Sequence, residues 1–212
     1  MTDDLACAMY LLAHDAAAEG PYDRSRTALL VRASAVVDLA LRGVLHEDHG
    51  TVAVSGPTTT GSPVLDLALR DAAEGHGWRR LVRGDRLRTL AEVEDQLVRA
   101  GILVVTEPGT RRGARRSRLA DPSAADAVRA RVFTALHGNG PVQDVPAADA
   151  ALLALASAGR VRTVVSRRDR KVFRDRIDAC TSRLAAPAPG LERAVRALPT
   201  TMVAAQGGMG GN

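Results

Sequence analysis

Aromatic residues are almost missing from this chain: two Phe, two Tyr and one Trp in 212 residues. Stacked recognition of single-stranded nucleic acid needs exposed aromatic platforms, so that mode has little to build on. Cysteine is reduced to Cys7 and Cys180, too few for a disulfide framework or a cysteine-based zinc site. No stretch approaches the ~18 uncharged apolar residues of a spanning helix. The N-terminus, MTDDLACAMYLLAHD, is acidic where a signal peptide is positive, and its apolar run is brief. These absences predict a cytoplasmic protein whose contact with a membrane is peripheral.

Catalytic motifs are missing as well. There is no nucleophile elbow, phosphate-binding Walker loop, paired-histidine zinc helix or dinucleotide fingerprint, so the chain reads as a non-enzyme without a cofactor. His46 and His49 flank Glu47 and Asp48. Adjacent side chains in a turn rarely converge on one ion without ligands from elsewhere, and no metal site is expected.

What remains is an ordinary globular composition, 46% hydrophobic and 25% charged, of a length that suits one large domain or two small ones. Lys171 is the sole lysine, so arginine carries nearly all of the 29 basic residues against 24 acidic ones. Arginine offers a planar fork of donors to phosphate and carboxylate. The charge is unevenly laid out: residues 1–50 carry four Arg against eight acids, and the basic excess lies wholly after residue 50. Such a chain can present a basic face without extreme net charge.

Periodicity predicts a mainly α, compact single helical domain with two small β-hairpins. Asp3 or Asp4 caps a helix through Leu5, Met9, Leu12 and Ala16, stopped by Glu19-Gly20-Pro21. A second helix, 25–43, carries the stripe Leu29, Leu30, Ala33, Val36, Val37, Ala40 and Leu41 and ends at Gly43. A hairpin follows, with His46 to Gly50 as its turn. Ser62-Pro63 opens a helix through Leu65, Leu69 and Ala72. After a short helix at Trp78 to Val82 comes a longer one to Ala100. Residues 102–119 read as strand, Arg-rich turn, strand. Further helices are expected from Asp121-Pro122, at 147–158, at 167–184 and at 191–205. The domain spans 1–205, and the Gly-rich end, 206–212, reads as a disordered tail.

Two basic features stand out. Arg111, Arg112, Arg115, Arg116 and Arg118 crowd the second hairpin, where they could dock on the phosphates of lipid or nucleic acid. A helix followed by that hairpin also resembles a winged-helix DNA reader using 109–119, which is the alternative reading. Its recognition helix would carry Glu92, Glu94 and Asp95, which repel a phosphate backbone. Arg32 lies at the edge of the apolar stripe of helix 25–43, where an arginine can cover neighbouring apolar surface.

Several segments, in order, resemble the Golgi phosphoprotein 3 family. They are Val36-Val37-Asp38-Leu39-Ala40-Leu41-Arg42-Gly43, then Thr60-Gly61-Ser62-Pro63-Val64-Leu65-Asp66-Leu67-Ala68-Leu69, and then Trp78 to Leu81 with Leu97-Val98-Arg99-Ala100-Gly101-Ile102-Leu103. The resemblance implies a divergent member of a family of peripheral membrane proteins whose eukaryotic members bind phosphatidylinositol 4-phosphate. It places Arg32 where the family has a headgroup-binding Arg, ten residues before Arg42. The family's headgroup-packing Trp would fall at Asp23, with Tyr22 beside it. Two further basic ligands would fall at Leu87 and Leu90, with Arg86 and Arg88 as neighbouring substitutes. The family's membrane-inserting hairpin has an apolar tip, whereas this one is Arg-rich. The implied partner is therefore an anionic phospholipid or phosphoinositide surface, with nucleic acid second; the protein cargo gripped by eukaryotic relatives has no assignable groove here.

Overall fold

A computed structural model describes residues 4–106 and 116–207. Helix α1 (Leu5–Ala13) is buried along its whole length and stops at His14. Its apolar spacing runs on to Ala16, yet His14–Asp15 (β1) instead pairs with Gly20–Pro21 (β2) in a short ribbon. Alanines 16–18 are good helix formers, but tertiary bonds override them. Buried His14 meets the Ser117 carbonyl through Nε2 at 3.0 Å. Glu19 adopts a left-handed φ of 49° and accepts a hydrogen bond from the Ser117 N–H at 2.7 Å.

Helix α2 (Arg24–Leu41) is the central element, buried continuously from Thr27 to Ala40 and packed against α1 and helices introduced below. The Asp23 carboxylate accepts from the Arg26 N–H and so caps its start. Strands β3 (Leu45–Asp48) and β4 (Thr51–Val54) then form the first expected hairpin. Its turn is only His49-Gly50, both at left-handed φ (46° and 83°). Two-residue turns of this hand match the twist of paired strands, so His46, Glu47 and Asp48 lie in the strand rather than the turn.

Helix α3 (Pro63–Ala72) starts at Ser62, and α4 (Trp78–Arg83) buries Trp78, Leu81 and Val82. Helix α5 (Arg86–Arg99) buries Leu90, Val93 and Leu97 against α2 and α3. Strands β5 (Leu103–Thr106) and β6 (Arg116–Leu119) form the second expected hairpin, with Val104 opposite Arg118 and Thr106 opposite Arg116. Helix α6 (Ser123–His137) leads through a 3-10 turn (Val142–Asp144) to the buried α7 (Ala147–Ala158).

The predicted basic helix 167–184 is two helices, α8 (Arg167–Val172) and α9 (Arg174–Ser182). They meet at Phe173, whose backbone leaves the helical region (φ −103°, ψ 24°) and whose ring packs edge-on against His137. A 3-10 turn (Arg183–Ala185) follows. The last predicted helix is likewise split, into α10 (Pro189–Arg196) and α11 (Leu198–Gly207). Pro199 has no N–H to continue the ladder. Gln206 and Gly207, read from sequence as tail, belong to α11, and 208–212 lie outside the described residues. The fold is thus mainly α, with a third two-stranded ribbon, β1–β2, beyond the two expected.

The signature-like segments turn out to hold this architecture together. Arg42 Nε donates to Asp38 at 2.6 Å and its Nη2 reaches Asp4 at 3.2 Å. Asp38 also accepts from the Leu5 N–H at 2.8 Å, and Asp4 accepts from Ser62 Oγ (2.6 Å) and Gln96 Nε2 (2.9 Å). One polar knot therefore ties the starts of α1 and α3 to the end of α2 and to α5. Burial raises the Asp38 pKa, and the bonds from Arg42 and Leu5 oppose that rise. Thr60 donates to Asp66 from both N and Oγ1, at 2.6 and 2.7 Å, which sets the entry to α3. Both cysteines are buried and unpaired. Burial, with Asp4 and Asp38 nearby, pushes the Cys7 thiol up to about 12, and burial raises Cys180 as well.

Candidate functional site

Arg32 sits far deeper than the edge of a stripe: it is 0% exposed, guanidinium included. Its Nε donates to the Leu81 carbonyl at 2.9 Å. That oxygen lies in the last turn of α4, where helix carbonyls have no intrahelical partner. Its Nη2 lies 2.6 Å from Asp71 on α3. The contact is a close ion pair in a site where Arg32 has no solvent contact. Burial lowers the Arg32 pKa, and Asp71 and then Asp85 counter it. Arg32 is thus the base of a junction between α2, α3 and α4, with its charge taken up by Asp71.

The exposed face of α4 is basic. Helix α4 turns Trp78, Leu81 and Val82 inward, which leaves Arg79, Arg80 and Arg83 outward. Arg79 and Arg80 make no ion pair among the described residues, and Arg83 donates to Thr201 Oγ1 at 2.6 Å. Arg79 and Arg80 line an open hollow of about 410 Å³ with Arg193 of α10, floored by Trp78 and by Gly190. Any side chain at Gly190 would collide with the Trp78 ring, so glycine is required there. Its N–H donates to Glu47, which also faces Arg193 at 3.4 Å. Just beyond, the first turn of α5 exposes Arg88 and leaves Arg86 half-buried. Asp85 is the nearby acid, 3.9 Å from Arg88. Leu87 between them is 60% exposed, an apolar side chain set among arginines.

The Arg-rich hairpin stands elsewhere. Arg116 pairs with Glu19 at 3.1 Å and Arg118 is exposed on β6, while Arg111, Arg112 and Arg115 lie outside the described residues. Ser117 of β6 contacts Tyr10 at 3.0 Å, and Tyr10 donates to Glu94. Glu94 is eight residues beyond Arg86, about 12 Å along the helix, so Ser117 of the hairpin meets α5 away from Arg86 and Arg88, whereas Arg32 feels the charge of Asp85 next to them. Glu94 does not face solvent: it is buried and held bidentately by Arg24 at 2.6 and 2.9 Å. Glu92 pairs with Arg99, which leaves Asp95 as the exposed acid of that set.

Tyr22 is 69% exposed and Asp23 is engaged as the α2 cap. Among the described residues, no group of three or more His, Cys, Asp or Glu could hold a metal ion. Among them, too, no helix is long and apolar enough to cross a membrane. Sequence reading overlooked Arg79, Arg80, Arg83 and Arg193 as site residues and Asp71 as the partner of Arg32. The signal for the first three was legible, since they occupy the face of α4 opposite Leu81 and Val82. The Asp71 pairing and the approach of α10 to α4 are tertiary facts without a local signature.

Comparison with curated protein sequences finds no match. The family described as Golgi phosphoprotein 3 (GPP34) matches residues 5–198, from the first residue of α1 to the first of α11. Over nearly its whole length, the chain belongs to the Golgi phosphoprotein 3 family.

Proposed function

We propose that this protein is a non-enzymatic peripheral membrane protein that recognises anionic lipid headgroups, phosphoinositides among them, and can serve as an adaptor. The observation that carries the reading is the α4–α5 surface. Arg79 and Arg80 converge with Arg193 on one hollow, and Arg83, Arg86 and Arg88 extend the charge around exposed Leu87. Membership of a lipid-binding family supports it. In this reading a headgroup phosphate enters the hollow from the membrane side, and Leu87 dips among the lipids. Arg32 contributes as the base of the junction, because its guanidinium is already paired with Asp71; direct contact with phosphate requires Asp71 to move aside. Arg116 and Arg118 on β6 add attraction at a second place.

The test is sedimentation with vesicles of controlled composition. The protein should pellet with vesicles containing phosphatidylserine or a phosphoinositide and stay in solution with purely zwitterionic ones. Binding should weaken as salt rises, because exposed charges are screened beyond about 8 Å at physiological ionic strength. Equal pelleting with zwitterionic and anionic vesicles, or with neither, would overturn the reading.

A further inference from the structure

A second arginine cluster lies around the end of α7, at a pocket separate from the α4–α5 surface. The pocket holds about 170 Å³ and is bounded by the start of α2, the β1–β2 ribbon and residues 159–163. Leu30 and Val161 give it an apolar floor, Tyr22 stands at its lip, and Arg26, Arg160 and Arg162 supply the cations. Two carboxylates also border it, and both have local work. Asp23 caps α2 and faces Arg26 at 3.7 Å, and Asp15 accepts from the Ala17 N–H. Arg160 and Arg162 are exposed and make no ion pair among the described residues. Nor does Arg26 Nε, buried at the pocket wall, make a hydrogen bond. Arg160 and Arg162 also lie near Arg170 of α8, whose pKa is lowered by burial and then by Arg160, Arg162 and Arg167, with Asp169 opposing.

The backbone adds an independent observation. Helices α2, α5 and α7 close with the same pair of hydrogen bonds, and α2 and α5 place Gly43 and Gly101 at the left-handed position. Glycine is the usual choice there because it has no Cβ to clash. Helix α7 places Arg160 there instead, at φ 54°, with the Arg160 N–H bonded to Ser157 and the Val161 N–H to Ala156. A cation has been set at the pocket rim where the fold alone favours glycine. A helix C-terminus favours a nearby cation, which accounts for one charge but not for the unpaired Arg162 beside it.

From this geometry we propose that the pocket binds a small organic anion: a carboxylate or phosphate monoester that carries a ring-sized apolar group. The ring lies against Leu30 and Val161 and beside Tyr22, and the anion sits between Arg160 and Arg162. The volume suits one aromatic ring, since an apolar cavity of ~150 Å³ holds benzene. Neither half of the pocket is sufficient for a different class. Bare phosphate leaves the apolar floor unused, and a neutral hydrocarbon leaves Arg160 and Arg162 as they are, without an ion pair among the described residues.

The proposal is independent of membrane binding and is tested by calorimetric titration of the full chain with phenyl phosphate, inorganic phosphate and phenol. Phenyl phosphate should bind at least tenfold more tightly than either of the others. Arg160→Gly and Arg162→Gln should each weaken it about tenfold or more, the loss of one charge-assisted hydrogen bond. Arg160→Gly should melt no lower than the parent, because glycine relieves the left-handed strain, so lost binding cannot be attributed to unfolding. Vesicle sedimentation should be the same in both variants. Phenyl phosphate binding no tighter than inorganic phosphate would mean diffuse charge only and would overturn the proposal. So would undiminished phenyl phosphate affinity in folded Arg160→Gly.

Discussion

Replacing Arg32 with Ala lowers the stability of the fold by about 3–5 kcal/mol, the cost typical of breaking a buried ion pair from one side. Three losses coincide. The Leu81 carbonyl at the end of α4 loses the Nε donor that reaches it at 2.9 Å. Asp71 loses its counter-ion at 2.6 Å. A void opens where one of the largest fully buried side chains among the described residues stood. Arg32→Met retains most of the volume and spares the void. Asp71, which keeps some solvent contact, can turn outward in either variant, so the void is what separates the two, and the dominant cost left in Arg32→Met is the unsatisfied carbonyl, about 1–3 kcal/mol. Urea titration of both variants checks the order: the midpoint should fall furthest for Arg32→Ala and less for Arg32→Met. Equal, small shifts would mean that Arg32 is no keystone of the α2–α3–α4 junction. Membrane assays on Arg32→Ala must accordingly be compared on the fraction that remains folded.

Neutralising the surface arginines should do the opposite, sparing the fold and abolishing binding. The combined variant Arg79→Gln, Arg80→Gln, Arg83→Gln and Arg88→Gln removes four charges from the α4–α5 surface. A basic residue close to an anionic membrane contributes about 1 kcal/mol, so four together amount to ~4 kcal/mol, a drop in vesicle partitioning of roughly a thousandfold. None of the four sits in the core, and the one side-chain hydrogen bond lost is that of Arg83 to Thr201. The melting temperature should therefore stay close to that of the parent. Partition measured across a lipid titration checks this. Retention of parental partitioning by the fourfold variant would place the membrane contact elsewhere.

The helices were legible in the sequence where burial repeats at helical spacing and a cap or glycine marks the end. Ser62-Pro63, Gly43 and Gly101 stand where such punctuation belongs. Legibility failed where long-range bonds override local preference. Ala16 to Ala18 favour a helix, but the contacts of His14 and Glu19 with Ser117 impose a ribbon. The continuous apolar pattern of 191–205 concealed the break at Ala197, two residues before Pro199. For the site, spacing located Arg32 near the apolar stripe but not its depth, because Asp71 and Leu81 reach it from other helices. The carboxylates counted against a DNA-reading α5 illustrate the same point. Glu94 is a core residue clasped by Arg24 and Tyr10; helical spacing already set it beside Leu90, Val93 and Leu97 and Asp95 on the far side, but its buried partners come from other elements.

The central claim is that the α4–α5 surface faces the membrane, and an environment-sensitive fluorophore at position 87 reads it out directly. Cys7 and Cys180 are buried, with thiols held protonated by burial, so Leu87→Cys provides the one reactive thiol. Gln143→Cys, exposed in the 3-10 turn after α6, serves as the control. On addition of vesicles containing a phosphoinositide, emission from position 87 should shift to the blue and emission from position 143 should not. A shift at 143 with none at 87, or no shift at either while the protein pellets with the vesicles, would contradict the account.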